Sequence, residues 1–228
     1  MLVFIYFIGD NMKKYYALFM LVLFLCSFNF VSAKKEENNL ELLGKVIYLD
    51  PGHGGADPGT VYKDIYEKDI NLEICLKLQR ILEQEGAIVY LTRYGDYDLS
   101  NNLYSRKKSD LNNRARIINN SGADIYISIH LNSISSSTWK GAQVFYDDVN
   151  PKNKEIANLF QEQLKTDLKT TRKVKEISTM LMNRKITVPG ILIEAGFLSN
   201  PSDRYLLRQK EYQYKICDSI RKSLIKYF

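Results

Sequence analysis

Hydrophobic and polar residues alternate along the chain with two different periods, which predict strands and helices. Short runs rich in β-branched and aromatic residues predict strands, and longer segments with apolar residues three or four positions apart predict helices. The predicted strands are residues 45–50, 87–92, 124–130, 142–146 and 190–195. The predicted helices are residues 69–85, 152–169, 211–227 and a segment with Leu111, Ala115 and Ile118 that ends near Gly122. Because helices separate most of these strands, we expect a single α/β domain with a twisted, mostly parallel sheet flanked by helices on both faces.

The first 33 residues differ in composition from the rest of the chain. Lys13 and Lys14 precede an apolar run over residues 15–30, and Val31-Ser32-Ala33 follows it. This order is typical of a secretory signal peptide, and an uncleaved membrane anchor is the alternative, since an apolar run of about 18 residues approaches a membrane span. Either interpretation exports the domain and limits membrane contact to this segment. We therefore predict a signal peptide or anchor over residues 1–33, a polar linker over 34–43 and the folded domain over 44–228.

The net charge of the chain indicates which classes of partner molecule it can attract. The chain carries 32 basic and 26 acidic residues, a formal net charge of +6. A mildly basic protein attracts anionic partners such as teichoic acids or membrane surfaces. No basic run is interleaved with aromatic residues in a nucleic-acid-binding motif, so we expect no nucleic-acid partner.

Two cysteines, Cys75 and Cys217, lie in predicted helices among apolar neighbours. That setting favours buried free thiols, which pack as small hydrophobic side chains. A disulfide between the two helices is the alternative in an exported protein, and the spacing does not decide between them.

Four side chains able to bind a metal or move a proton are predicted to meet at one edge of the sheet. The chain has only two histidines: His53 follows the first predicted strand, and His130 ends the strand over 124–130. Glu67 precedes the helix after the first strand, and Glu194 lies near the end of the strand over 190–195. The carboxyl ends of parallel strands meet at the edge where ligands bind in open α/β sheets. Each residue alone has an ordinary structural explanation, but their joint placement predicts a site.

The chemistry of these groups points to a hydrolytic zinc centre. Two imidazoles and one carboxylate form the ligand set of catalytic zinc sites, which leave the fourth position to water. A remaining carboxylate can act as general base and then as general acid. Glu194 suits that role because apolar neighbours favour its neutral form and raise its pKa. We therefore expect one Zn²⁺ ion held by His53, Glu67 and His130.

The residues around these positions make the chain similar to a known enzyme family. Four segments resemble, in order and spacing, the zinc-dependent N-acetylmuramoyl-L-alanine amidases of the amidase-3 family: residues 47–55 (IYLDPGHGG), 67–72 (EKDINL), 128–133 (SIHLNS) and 193–201 (IEAGFLSNP). The resemblance implies the same three zinc ligands and Glu194 as the catalytic carboxylate. Asn132, which lies beside these residues, is a candidate substrate contact that would shape the groove; a structural role in the turn is the alternative. The resemblance also implies the reaction, which is hydrolysis of the amide bond between N-acetylmuramic acid and L-alanine in peptidoglycan.

A narrower resemblance concerns the CwlD-type amidases of spore-forming bacteria. It rests on Tyr104–Lys107, on Thr170–Lys173 and on the short layout of the chain. It implies a role in spore cortex modification, leading to muramic-δ-lactam, in the space between the forespore membranes. The composition of residues 94–108 predicts a long loop of the kind that is often functional. Basic residues such as Arg106, Lys107 and Arg172 are candidate contacts for acidic peptide or glycan groups; a solvated charged surface is the alternative.

Three points stay open at the level of sequence. We expect no separate wall-binding module, and therefore expect targeting by the N-terminal segment, by the charge of the domain or by an accessory protein. A zinc peptidase acting on the stem peptide would use similar metal chemistry, although the segment after Glu194 argues against it. A non-catalytic wall-binding homologue would have lost one of the four groups, and all four are present.

Overall fold

The computed structural model describes residues 40–178 and 182–228, together with residues 12, 14, 15, 18–22 and 24. Contacts divide the chain into one unit at Met1–Asn39 and a second at Leu40–Phe228. The described positions of the first unit are helical, while the predicted cleavage site at 31–33 and the linker up to residue 39 lie outside the described residues. Among the described helices, none is long and apolar enough to cross a membrane.

A central sheet orders the second unit. Within the described residues, six strands pair in the order β4-β1-β5-β8-β6-β7, and β2 and β3 form a separate hairpin. The strands are β1 Val46–Pro51, β2 Val61–Tyr62, β3 Ile65–Tyr66, β4 Ile88–Leu91, β5 Ile125–Asn132, β6 Gln143–Tyr146, β7 Lys175–Glu176 and β8 Gly190–Phe197. All neighbours in the large sheet are parallel except β6 and β8. The exception arises because a loop, not a helix, joins β5 to β6 and reverses the chain direction.

Helices cover both faces of this sheet. They are α1 Glu67–Gln84, α2 Arg106–Asn119, α3 Asn153–Leu168, α4 Pro201–Leu207 and α5 Lys210–Tyr227, with a short 3₁₀ turn at Asn183–Lys185. The larger core joins α1, α3 and α5 to one face through buried side chains such as Ile47 and Ile193. On the other face, Tyr48 and Tyr126 pack with Ile118 of α2. The mostly parallel α/β sheet with helices on both faces is thereby confirmed.

Several short elements were not predicted. The hairpin and β7 have only two residues per strand. Two residues are too few to show a hydrophobic period. The helix α4 has a visible start signal, because the Asn200 side chain accepts hydrogen bonds from the backbone of Ser202 and Asp203 and Pro201 opens the first turn. Part of the predicted loop over 94–108 is helical, since α2 begins at Arg106.

The packed domain begins slightly before the predicted boundary at residue 44. Leu42 is fully buried in the core, and its backbone N–H donates to the carbonyl oxygen of Glu85 at 3.0 Å. Cys75 and Cys217 are both buried and free. The residues assigned to a linker therefore already pack on the domain from Leu40 onward.

Candidate active site

The four candidate side chains meet in a cleft at the carboxyl ends of β1, β5 and β8. His53 lies just after β1, His130 is in β5, Glu194 is in β8, and Glu67 is the first residue of α1. His130 and Glu194 are paired in the register of adjacent parallel strands. All four line one cleft of about 520 Å³, and Asn132 lines it as well. The placement expected from strand order is therefore observed.

One carboxylate lies between two imidazoles. The Oε1 atom of Glu67 is 3.1 Å from Nε2 of His53 and 3.1 Å from Nδ1 of His130. Its carboxylate also accepts hydrogen bonds from the backbone N–H of Leu131 at 3.0 Å and of Thr60 at 2.8 Å. Burial alone would raise the pKa of Glu67, but the hydrogen bonds and charges of His130 and His53 outweigh it and hold that pKa well below its usual range. The carboxylate is thus held ionised.

The ring of His53 is fixed from both sides. Its Nδ1 atom is 3.0 Å from Oδ2 of Asp57, which leaves Nε2 directed at Glu67 and the cleft. Burial opposes protonation of His53, but the hydrogen bonds that its ring donates to the carboxylates of Glu67 and Asp57 raise its pKa. Asp57 therefore has the position of the outer carboxylate that commonly orients a metal-binding histidine.

Two buried arginines hold the turn that carries His53. His53 has a left-handed backbone with φ of 62°, which is uncommon for a residue other than glycine. The Arg114 guanidinium donates to the carbonyl oxygen of His53 at 2.6 Å and of Pro51 at 2.8 Å. Arg93 donates to Pro51 and to the carbonyl oxygen of Gly52, both at 3.0 Å. These bonds stabilise a turn that would otherwise be strained.

Arg114 is itself neutralised by Asp50 at the end of β1. The two groups are 2.8 Å apart and each is only 1% exposed. Burial would raise the pKa of Asp50, but the charge of Arg114 and hydrogen bonds from Ser128 and Thr92 lower it to about 2. A buried charge pair of this kind is stable only when its remaining hydrogen bonds are satisfied, as they are here.

Glycine is required where the backbone approaches the imidazoles. A Cβ at Gly52 would lie 2.3 Å from the His130 ring. A Cβ at Gly59, where φ is +66°, would lie 2.7 Å from both the Glu67 carboxylate and the His53 ring. Gly52 of the predicted motif and Gly59 beyond it thus permit close packing of the candidate ligands.

Glu194 differs from Glu67 in its surroundings. It is 8% exposed, and among the described residues its Oε2 atom has no hydrogen-bond partner. Burial raises the pKa of Glu194 to about 7, with His130 opposing the rise and Glu67 adding to it. A carboxyl group with this pKa can both accept and donate a proton near neutrality.

The two candidate substrate contacts lie at different places. Asn132 lines the cleft beside the imidazoles. Arg106 lines a smaller adjoining pocket instead, where its Nε atom is 2.7 Å from Asp98. Its neighbour Lys107 lines the main cleft, with 73% of its side chain exposed.

The residues that support the candidate ligands were not predicted from the sequence. They are Asp50, Asp57, Arg93, Arg114 and Asn71, whose Nδ2 atom donates to the Gly52 carbonyl oxygen at 3.3 Å and to Glu67 Oε1 at 3.4 Å. Asp50 and Asp57 stand within or beside the glycine-rich segment, so their closeness to His53 was a readable signal. The arginines gave no such signal, because they come from α2 and from the end of β4 and meet the turn only in the folded chain.

The donor set fits a zinc ion. One ligand atom from each of His53, Glu67 and His130 lies within 4.8 Å of the other two. Two imidazole nitrogens and one carboxylate oxygen are the ligands of catalytic zinc sites with an open fourth position. The unpartnered oxygen of Glu194 at the same cleft adds a group suited to a polar ligand.

Comparison with known proteins agrees with this geometry. The family described as N-acetylmuramoyl-L-alanine amidase matches residues 47–226. The germination-specific N-acetylmuramoyl-L-alanine amidase of Bacillus subtilis is 44% identical over 216 residues, which cover 92% of this chain and 91% of that protein.

Two solved structures resemble the fold over most of its length. The CwlD amidase of Clostridioides difficile, solved in complex with the GerS lipoprotein, gives a TM-score of 0.77 at 39% identity and covers 81% of this chain and 98% of that one. An N-acetylmuramoyl-L-alanine amidase of Clostridium difficile 630 gives a TM-score of 0.73 at 32% identity, covering 81% and 96%. The chain therefore belongs to the N-acetylmuramoyl-L-alanine amidase family.

Proposed function

We propose that this amidase is a one-zinc hydrolase of peptidoglycan in which His53, Glu67 and His130 hold the metal and Glu194 moves the proton. The observation that carries the proposal is the position of Glu67 Oε1, at 3.1 Å from a nitrogen of each histidine, beside the buried carboxyl of Glu194. The substrate bond is the lactyl amide between N-acetylmuramic acid and L-alanine.

The residues of the chain divide the work of hydrolysis between them. A bound zinc ion would polarise the substrate carbonyl and make a water molecule more acidic. Glu194 accepts a proton from the attacking water, whose oxygen forms a bond to the lactyl carbonyl carbon. The same carboxyl then donates a proton to the nitrogen of L-alanine as the carbon–nitrogen bond breaks. The products are a free lactyl carboxylate on the glycan and a peptide that begins with an L-alanine amine.

The supporting residues keep this geometry while the substrate binds. Asp57 holds His53 so that Nε2 faces the cleft, and Arg114 and Arg93 fix the turn beneath it. We propose that Asn132, which lines the cleft, contacts the substrate. Arg106 remains a candidate at the adjoining pocket.

Product analysis tests the reaction and the metal together. Purified peptidoglycan is incubated with the full-length chain, with added zinc or with a chelator, and the soluble products are identified by mass spectrometry. We expect stem peptides that begin with L-alanine only when zinc is present. Peptides cut at an internal bond would support a zinc peptidase, and equal release in the chelator would contradict the metal role.

The biological setting is proposed from the relatives. Similarity to the germination-specific amidase of Bacillus subtilis supports a role in spore cortex modification that leads to muramic-δ-lactam. Cortex peptidoglycan from a strain lacking the gene should then contain no muramic-δ-lactam.

The CwlD amidase was solved with a lipoprotein, which supports an accessory lipoprotein for this chain as well. We propose an extracytoplasmic site of action, between the forespore membranes, with residues 1–33 as a signal peptide or membrane anchor.

A further inference from the structure

A row of polar side chains continues from the cleft across the sheet. Glu194 in β8 is paired with His130 of β5 on one side and with Gln143 of β6 on the other. Paired residues of adjacent strands direct their side chains to the same face, with Cβ atoms about 5 Å apart. Gln143 therefore stands next to Glu194 on the side away from the metal ligands.

Gln143 fixes a guanidinium group at this position. Its Oε1 atom accepts hydrogen bonds from Arg172 Nε at 3.1 Å and Nη2 at 2.7 Å. The Cζ atom of Arg172 lies 4.6 Å from the ring centroid of Trp139 and 5.4 Å from that of Phe197. Phe197 is buried and pairs with Asn132, which lines the cleft. The half-buried guanidinium is thus held between an amide and two aromatic rings.

Trp139 is presented to solvent by a loop that is anchored at both ends. The loop joins β5 to β6, and Trp139 is 48% exposed. The side chain of Asn200 donates to the carbonyl oxygen of Ser137 at 2.7 Å, and the Gly141 N–H donates to Asp203 at 2.7 Å. A large aromatic side chain left half exposed and held by a cation contributes little to packing, and such residues serve binding surfaces.

We propose that Trp139, held by Arg172, forms a carbohydrate subsite for the glycan strand on the β6 side of the cleft. This inference rests on the proposed function, because a muramoyl amide carries a glycan on one side of the bond and a peptide on the other. The C–H groups on one face of a pyranose ring are attracted to the negative face of an indole. Phe197, which contacts the same guanidinium as Trp139, lies three residues beyond Glu194, or about 10 Å along the strand. Because the subsite is separated from Glu194 by this distance, it takes a sugar beside the one whose lactyl group is cut.

The fluorescence of Trp139 tests binding without any catalysis. Trp139 is the only tryptophan in the chain, so the emission of the full-length protein in detergent micelles reports on this position alone. The protein is titrated in excess chelator with chitohexaose, with peptide-free glycan strands and with free stem peptide. We expect a saturable change with the two glycans and none with the peptide. A response to stem peptide alone, or none to either glycan, would overturn the proposal.

Kinetics of matched substrates provide the second test. The ratio of kcat/KM for intact glycan strands to kcat/KM for a single N-acetylmuramoyl peptide is measured in each variant. Trp139→Ala should lower this ratio roughly tenfold, which is the factor expected from the loss of one stacked aromatic contact. Trp139→Phe should keep the ratio close to that of the wild-type protein. Tyr214→Ala, which removes a 50% exposed aromatic from α5, should leave it unchanged.

The two tests separate this subsite from the proposed function. An equal loss on both substrates in Trp139→Ala would indicate a purely structural role and would overturn the subsite. Saturable fluorescence changes in a protein that releases no peptide from any substrate would support the subsite and contradict the zinc amidase mechanism instead.

Discussion

At the scale of single residues, two glutamates of the same cleft have opposite environments. Glu67 accepts several hydrogen bonds and stays ionised, whereas burial raises the pKa of Glu194 to about 7. Pairs of carboxyl groups whose pKa values are pushed apart commonly take different roles in acid–base chemistry. The difference supports the proposed roles of Glu67 as a metal ligand and Glu194 as the proton carrier.

Replacing Glu194 with glutamine tests that division. The amide has nearly the same shape but cannot accept the proton, so Glu194→Gln should lower kcat by about 10²–10⁴-fold. Zinc content, measured by atomic emission, should not change, because Glu194 is not among the three proposed ligands. Glu211→Gln, at an exposed position in α5, serves as the control. Loss of zinc from Glu194→Gln would reassign Glu194 as a ligand.

The Asp57 carboxylate can be tested through metal affinity. Removing the group that orients His53 should weaken zinc binding by about 10–100-fold, measured by competition with a zinc-binding dye. Asp57→Asn should be milder than Asp57→Ala, because the amide oxygen can still accept the Nδ1 proton. Asp64→Ala, an exposed acidic residue between β2 and β3, is the control. Equal zinc affinity in the wild-type protein and in all three variants would show that Asp57 does not orient the His53 ring.

At the scale of elements, strand order explains why the site was predictable. The strands over residues 45–50, 124–130 and 190–195 could be predicted from their hydrophobic content, and parallel pairing brings their carboxyl ends together. What the sequence could not reveal is how the turn at His53 is held. Arg114 reaches that turn from the α2 helix, 61 residues away in the chain, and such a distant contact leaves no periodic signal. The polar composition that marked residues 94–108 as a loop likewise concealed the first turn of α2.

The contact between α2 and the β1 turn predicts a strong energetic coupling. Arg114→Met leaves Asp50 buried without its partner and should reduce the free energy of unfolding by about 3–5 kcal/mol. Asp50→Asn combined with Arg114→Met removes both charges and should cost less than the sum of the single changes. Urea unfolding of the wild-type protein, the two single variants and the double variant at neutral pH measures the coupling. Additive effects would mean that the two groups do not stabilise each other.

At the scale of the whole molecule, one carboxylate links the elements that frame the cleft. Asp50 of β1 contacts Arg114 of α2 at 2.8 Å, Thr92 after β4 at 2.7 Å and Ser128 of β5 at 2.6 Å. Loss of its charge would loosen the sheet and the covering helix together. The acid stability of the domain should therefore depend on this group.

The pH range of that dependence follows from the pKa values. The pKa of Asp50 is about 2 in the folded protein, against an ordinary value of 3.8. As the pH falls, the unfolded chain binds the proton first, so the stabilisation is fully present above about pH 4 and is lost as the pH approaches 2. The contribution is about 2 kcal/mol. The difference in unfolding free energy between the wild-type protein and Asp50→Asn should shrink by that amount across this range.

Urea unfolding at several pH values in excess chelator measures this difference without any contribution from metal binding. Asp69→Asn, an exposed change at the start of α1, controls for the general effect of losing one negative charge. The prediction would be contradicted if the difference in unfolding free energy between Asp50→Asn and the wild-type protein stayed constant from pH 6 down to about pH 2. That outcome would mean that Asp50 titrates alike in the folded and unfolded states, and that hydrogen bonding rather than charge fixes the end of β1 beneath His53.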